Sequence, residues 1–187
     1  MRKLGYKQSD ADHTLFIKQK LGKVTALIVY VDDMVVTEND PSEITALQTK
    51  LATEFELKDL GNLRYFLEIE VARSAQGISL CQRKYVIDLL IETSMLDCKP
   101  VETPIEVNHG LSIQGDQVPT DKDQYQRLVG RLIYLSHTRP DITYVVNIVS
   151  QFMHSPSKEH MDVVYQVLRY PKSSPGKGLF FERNNDY

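Results

Sequence analysis

The hydrophobic pattern is strand-like at the start of the chain and helical towards its end. His13-Thr14-Leu15-Phe16-Ile17-Lys18 and Val24 to Val31 carry the branched and aromatic residues of strands, and Leu21-Gly22-Lys23 between them reads as a hairpin connection. The second run is apolar on both faces, the pattern of a strand covered on both sides. After Asp32-Asp33 comes another β-branched run, Met34-Val35-Val36-Thr37. The carboxylate pair therefore reads as the tip of a tight hairpin, although Asp-Asp is a poorer turn pair than Asp-Gly. A helix follows: Asp40 caps it, Pro41 suits its first turn, and Glu43 stands three residues after the cap in a capping-box arrangement. Ile44, Leu47, Leu51 and Phe55 place one apolar stripe on its period. Tyr65 to Ala72 and Ile78 to Gln82, separated by residues 73–77, form a second hairpin.

Helices take over near residue 83. Tyr85-Val86-Ile87-Asp88-Leu89-Leu90 begins one that must stop before Pro100. Val101 to Gln124 holds Pro104, Gly110, Gly115 and Pro119 without a sustained period and reads as a long loop. Tyr125 to His137, Ile142 to Met153 and Glu159 to Arg169 follow as helices, punctuated by Pro140, Pro156 and Pro171. The predicted fold class is α+β. The longest apolar run, Ala26 to Val31, is too short to cross a bilayer, and the amino end offers no secretory apolar stretch.

Composition adds bounds. With 187 residues, 42% hydrophobic and 25% charged, the balance is that of a globular chain. A net charge of −3 excludes a small, wholly basic nucleic-acid module but leaves room for a local basic face. Cys81 and Cys98 are too few for a disulfide scaffold and form no Cys-x-x-Cys pair. His154 and His160 lack the spacing and the further donor of a zinc site.

Two places carry candidate chemistry. Tyr30-Val31-Asp32-Asp33 ends an apolar strand with adjacent carboxylates, which is costly unless something positive meets them. Mg²⁺ is the natural partner of such oxygens; a solvated acidic hairpin tip is the alternative. Further on, the spacing of four between Gln126, Gly130 and Tyr134 puts all three on one helical face. A glycine lowers helix stability, so either a nucleic acid approaches its backbone or a neighbouring helix packs there. Arg127 and Arg131 flank that face and either reach phosphates or keep it solvated.

These segments resemble the reverse transcriptases of copia-type, long-terminal-repeat retrotransposons. The resemblance rests on Gly5-Tyr6-Lys7-Gln8-Ser9-Asp10, Asp12-His13-Thr14-Leu15-Phe16, Leu27 to Met34 with its Tyr-Val-Asp-Asp, and Phe55-Glu56-Leu57-Lys58-Asp59-Leu60-Gly61. It continues through Gln82-Arg83-Lys84-Tyr85-Val86, Tyr125 to Gly130, Leu132-Ile133-Tyr134-Leu135 and Thr138-Arg139-Pro140-Asp141-Ile142, in family order. The resemblance implies a partial polymerase palm over residues 1–82, a thumb-like helical subdomain over 83–154 and the start of a connection segment over 155–187. It implies two-metal nucleotidyl transfer with Mg²⁺ or Mn²⁺, Asp32 as principal ligand and Asp33 as auxiliary, above a floor of Tyr30 and Val31.

It further implies a primer-grip hairpin at Tyr65 to Val71, including Phe66 and Leu67, and a Lys58 placed to protonate pyrophosphate. Gln126, Gly130 and Tyr134 resemble a Gln, Gly and aromatic trio that tracks the minor groove, with Arg127 and Arg131 on phosphates. The implied partners are an RNA or DNA template, a DNA primer and dNTPs, in a cytoplasmic virus-like particle or the nucleus, with no membrane.

The departures matter as much. The family's upstream aspartate, in a motif like Asp-x-x-x-Ala-Phe, and its Gly-Leu-Lys-Gln-Ser-Pro-Arg segment have no counterpart here. Glu68 stands where the grip hairpin usually has glycine, and Pro171 where leucine is usual; both suggest drift. The expectation is a chain that begins partway through the palm and stops before an RNase H domain. It would be inactive alone and prone to self-association through exposed palm surface. The alternative is a non-catalytic nucleic-acid-binding or interaction remnant of a retrotransposon.

Overall fold

The β-rich runs pair with their sequence neighbours. The computed structural model describes residues 1, 4–38, 41–106, 111 and 118–183, which fall into two units, Met1–Leu63 and Arg64–Tyr187. The α+β class is as predicted: two antiparallel sheets plus helices. The change from strands to helices near residue 83 falls inside the second unit.

In the first unit β1 (Lys7–Gln8), β2 (Leu15–Lys20), β3 (Lys23–Tyr30) and β4 (Asp33–Glu38) form an antiparallel sheet in sequence order. Lys20 opposes Lys23, so Leu21 and Gly22 alone make the first turn, both left-handed at φ 50° and 77°. Helix α1 (Pro41–Ala52) covers one face, where Leu47 and Leu51 pack with Tyr6, Leu27, Phe16, Val29, Met34 and Val36.

Three local expectations need correction. Strand β3 is not covered on both sides, because its other face carries the exposed Val24 and Tyr30. The apolar stripe of α1 stops at Leu51: the helix ends at Ala52, and Phe55 lies exposed beyond it. Asp40 lies outside the described residues, and Glu43 turns its carboxylate to the sheet. Glu43 accepts from Lys18 Nζ at 2.6 Å and from the Tyr6 hydroxyl at 3.2 Å, tying the helix to β2. Hydrogen bonding from Lys18 holds the Glu43 carboxyl below its usual range, while burial, aided by Glu43, pushes the Tyr6 phenol up to about 12.

In the second unit the predicted hairpin is part of a larger sheet. Strands β5 (Tyr65–Phe66), β6 (Ile69–Arg73), β7 (Gly77–Cys81) and β8 (Gly178–Glu182) lie side by side, all antiparallel. The sequence pattern did not disclose β8. It fits against β7 because both strands bring glycine to the contact: a Cβ on Gly178 would sit 2.0 Å from the Leu80 carbonyl oxygen, and one on Gly77 2.1 Å from that of Phe181.

The helices are α2 (Arg83–Glu92), α3 (Lys122–Ser136), α4 (Thr143–Ser150) and α5 (Lys158–Arg169). Helix α3 starts earlier than its apolar period because the Asp121 carboxylate accepts from the Gln124 amide at 3.0 Å. Helix α4 ends at Ser150, short of the predicted Met153. Helix α5 stops at Arg169, and Pro171 opens a short 3-10 turn. Gln82 gives α2 no side-chain cap; Glu70 of β6 accepts from the Lys84 amide at 2.9 Å instead, fastening the sheet to the helix. Leu89, Leu128, Leu132, Val149, Val164 and Leu168 anchor a core shared by all four helices.

One polar knot closes this unit. Arg139, only 1% exposed, forms a two-pronged pair with Asp141, both bonds at 2.9 Å, and donates to the Ser174 carbonyl at 3.1 Å. Tyr170 and Lys177 also donate to Asp141, at 3.1 and 3.0 Å. Burial raises the Asp141 pKa, but the Arg139, Lys177 and Tyr170 hydrogen bonds outweigh it and hold the carboxyl well below its usual range. Asp141→Asn leaves the Arg139 charge buried without its counter-ion, an expected loss of about 3–5 kcal/mol at neutral pH. Because the folded pKa is depressed, Asp141 stabilises the fold above about pH 4, and this contribution fades as pH falls through the folded value. Denaturant melts of both proteins across pH should show the gap narrowing in acid; a constant gap would contradict this account.

Candidate metal-binding tip and nucleic-acid surface

Tyr30 opposes Asp33 across the β3–β4 ladder, leaving Val31 and Asp32 as a two-residue turn. Val31 is left-handed at φ 49°. That conformation at the first central position suits the twist of a hairpin, but for a β-branched residue it costs on the order of 1–3 kcal/mol. Packing does not explain the valine, which is 82% exposed. Asp32 sits in the turn and Asp33 heads β4, and both are exposed. The structure therefore gathers Tyr30, Val31, Asp32 and Asp33 at one tip.

The donor chemistry suits a hard cation in part. Mg²⁺ takes one or two carboxylates and fills its other positions with water and substrate phosphates. Asp32 and Asp33 supply that kind of oxygen. Among the described residues, no group of three or more His, Cys, Asp or Glu gathers to hold a metal ion. The tip thus offers two carboxylates. Lys58 is exposed on the irregular stretch after α1, on no regular element shared with the tip.

The other candidates lie in the second unit. Phe66 opposes Ile69, so Leu67 and Glu68 form another two-residue turn, left-handed at φ 48° and 61°. Glu68 thus occupies a conformation in which glycine is favoured, at a cost on the order of 1–2 kcal/mol. Tyr65 donates its hydroxyl to Glu68 at 2.5 Å, and burial together with that carboxylate pushes the Tyr65 phenol up to about 12. The Tyr134 hydroxyl, from α3, donates to the Leu67 carbonyl.

On α3, Gln126, Arg127 and Gly130 are exposed. Gln126 donates to the Met153 carbonyl at 2.8 Å. A Cβ built on Gly130 meets nothing within 4 Å, so packing of a neighbouring helix is not the reason for the glycine. Arg131 pairs with Glu92 of α2 at 2.7 Å and Arg127 approaches the same carboxylate at 3.7 Å. Glu92 therefore holds both guanidinium groups beside the open glycine. Tyr85 packs edge-on to Tyr134 at 5.4 Å between ring centres, and its hydroxyl donates to the Arg131 carbonyl at 3.3 Å. Sequence reading missed Glu92 and Tyr85, whose relevance lies in contacts with α3 and not in any local motif.

The family model described as reverse transcriptase (RNA-dependent DNA polymerase) matches residues 1–107. Over 182 residues, covering 97% of this chain, the sequence is 41% identical to a retrovirus-related Pol polyprotein from transposon RE1 of Arabidopsis thaliana. It is 32% identical, again over 97% of the chain, to the corresponding polyprotein from transposon TNT 1-94 of Nicotiana tabacum. An uncharacterized mitochondrial protein of Arabidopsis thaliana is 39% identical across 85% of this chain and 66% of its own length. The chain spans 12% of the RE1 polyprotein and 14% of the TNT 1-94 polyprotein. No solved structure matches. The family match over residues 1–107, and the polyprotein identities that run on through the helical half, mean that this chain belongs to the reverse transcriptase family of copia-type retrotransposon Pol polyproteins.

Proposed function

We propose that this chain supplies the metal-binding tip and part of the primer–template surface of an RNA-directed DNA polymerase. The observation that carries this reading is the pair of exposed, adjacent carboxylates at the tip of a two-residue hairpin, inside the stretch that matches the family. Asp32 is the principal ligand for Mg²⁺ or Mn²⁺ and Asp33 the auxiliary one, with the exposed Tyr30 and Val31 beneath the primer end. An ion held there would supply positive charge to a primer hydroxyl and to a triphosphate. Lys58 as a proton donor to pyrophosphate rests on the resemblance alone.

In the same reading, residues 1–82 are palm, 83–154 thumb-like and 155–187 the beginning of a connection. The substrates are a primed RNA or DNA template and dNTPs. The hairpin around Phe66 faces the primer, while Gln126 and Gly130 follow the minor groove, with Arg127 and Arg131 on phosphates. A non-catalytic reading, binding to nucleic acid without polymerisation, draws on the open space above Gly130 and the basic pair beside it.

Two carboxylates without a third hold an ion weakly, so the isolated chain should incorporate no nucleotide on a primed template with Mg²⁺ or Mn²⁺. Extension that disappears in Asp32→Asn would contradict this. Binding to an RNA–DNA hybrid should be salt-sensitive, and alanine at both Arg127 and Arg131 should flatten the salt slope by roughly one unit per lost contact. Gly130→Ala separates structure from recognition. With nothing against its Cβ, it should raise stability by about 0.5–1 kcal/mol yet weaken hybrid binding. A more stable variant with unchanged binding would remove Gly130 from the interface.

A further inference from the structure

The Leu67–Glu68 turn keeps two successive side-chain-bearing residues left-handed. Nothing in its own sequence favours that shape, which Asn-Gly adopts readily. One restraint is local, the Tyr65–Glu68 bond. The other comes from the helical part of the same unit, where the Tyr134 hydroxyl donates to the Leu67 carbonyl. The Tyr134 ring is itself held edge-on by Tyr85 and His137, at 5.4 and 6.0 Å between centres. Gly130, with open space above it, lies one helical turn before Tyr134.

We propose that Tyr134 is a positioning residue, whose hydroxyl locks the Leu67–Glu68 turn to α3 so that the turn and the open glycine face act as one surface for a base-paired nucleic acid. This rests on the nucleic-acid reading above but gives Tyr134 a different task from direct contact with a groove. Its polar end is engaged by a backbone carbonyl, and the carbonyl belongs to a turn that would otherwise relax. The clamp also offers a reason why a turn with Glu68 in place of the usual glycine keeps its shape.

The test compares Tyr134→Phe in two backgrounds of the full chain, the native turn and one carrying Leu67→Asn with Glu68→Gly. Hydrogen exchange of the amides flanking the turn reports on its order, and titration with a labelled RNA–DNA hybrid duplex reports on the surface. In the native turn, Tyr134→Phe should speed that exchange and weaken hybrid binding, each by roughly three- to tenfold. In the Asn-Gly turn, which holds the shape unaided, the same substitution should change neither. Unchanged exchange in the native turn would overturn the clamp. Equal weakening of hybrid binding in both backgrounds would overturn it too, since it would assign the hydroxyl to direct contact. If no variant binds the hybrid while exchange behaves as stated, the clamp stands and the nucleic-acid reading of the face falls.

Discussion

The right-handed twist of antiparallel strands is the constraint from which the rest follows. Strands joined by only two residues match that twist when left-handed residues sit in the turn. Among the described residues the demand is met three times, at Leu21-Gly22, Val31-Asp32 and Leu67-Glu68. Only the first contains a glycine. The other two hold valine, leucine and glutamate in a conformation those residues disfavour. Strain of this kind persists where the surroundings over-determine it and tends to collect at functional sites. Here it falls on the acidic tip and on the turn that meets α3.

Four acidic side chains hold elements of the fold together. Glu43, Glu70, Glu92 and Asp141 each meet a specific cation or amide, and each ties one element to another. They hold the architecture. Asp32 and Asp33 instead stand exposed at a hairpin tip, where carboxylates are available to something outside the chain. The proposal that the pair binds a metal rests on the adjacency of the two carboxylates at that tip.

Much of this was legible in the sequence because short-range rules dominate it. Strand-forming runs on either side of Asp32-Asp33 gave the hairpin, and the spacing of Gln126, Gly130 and Tyr134 put the three on one face of α3. Pro41 marked the start of α1 and Pro171 the end of α5. Long-range pairing was not legible. Strand β8 is unremarkable in isolation and exists because Gly77 and Gly178 allow two distant backbones to meet. Glu43 looked like a local cap, yet its partners Lys18 and Tyr6 come from elsewhere in the chain. Phe55 continues the helical period in sequence, but α1 ends before reaching it. The left-handed Val31 leaves no trace in composition or period, since valine normally favours extended strands.

The central claim is that the side chains at 32 and 33 bind a divalent cation at the hairpin tip. Paramagnetic broadening of backbone NMR signals by Mn²⁺, with Mg²⁺ as the diamagnetic control, tests it directly. Broadening centred on residues 30–34, weak in affinity and lost in Asp32→Asn with Asp33→Asn, is the predicted result. Broadening that is absent there, or that centres on another acidic cluster and survives both substitutions, would contradict it.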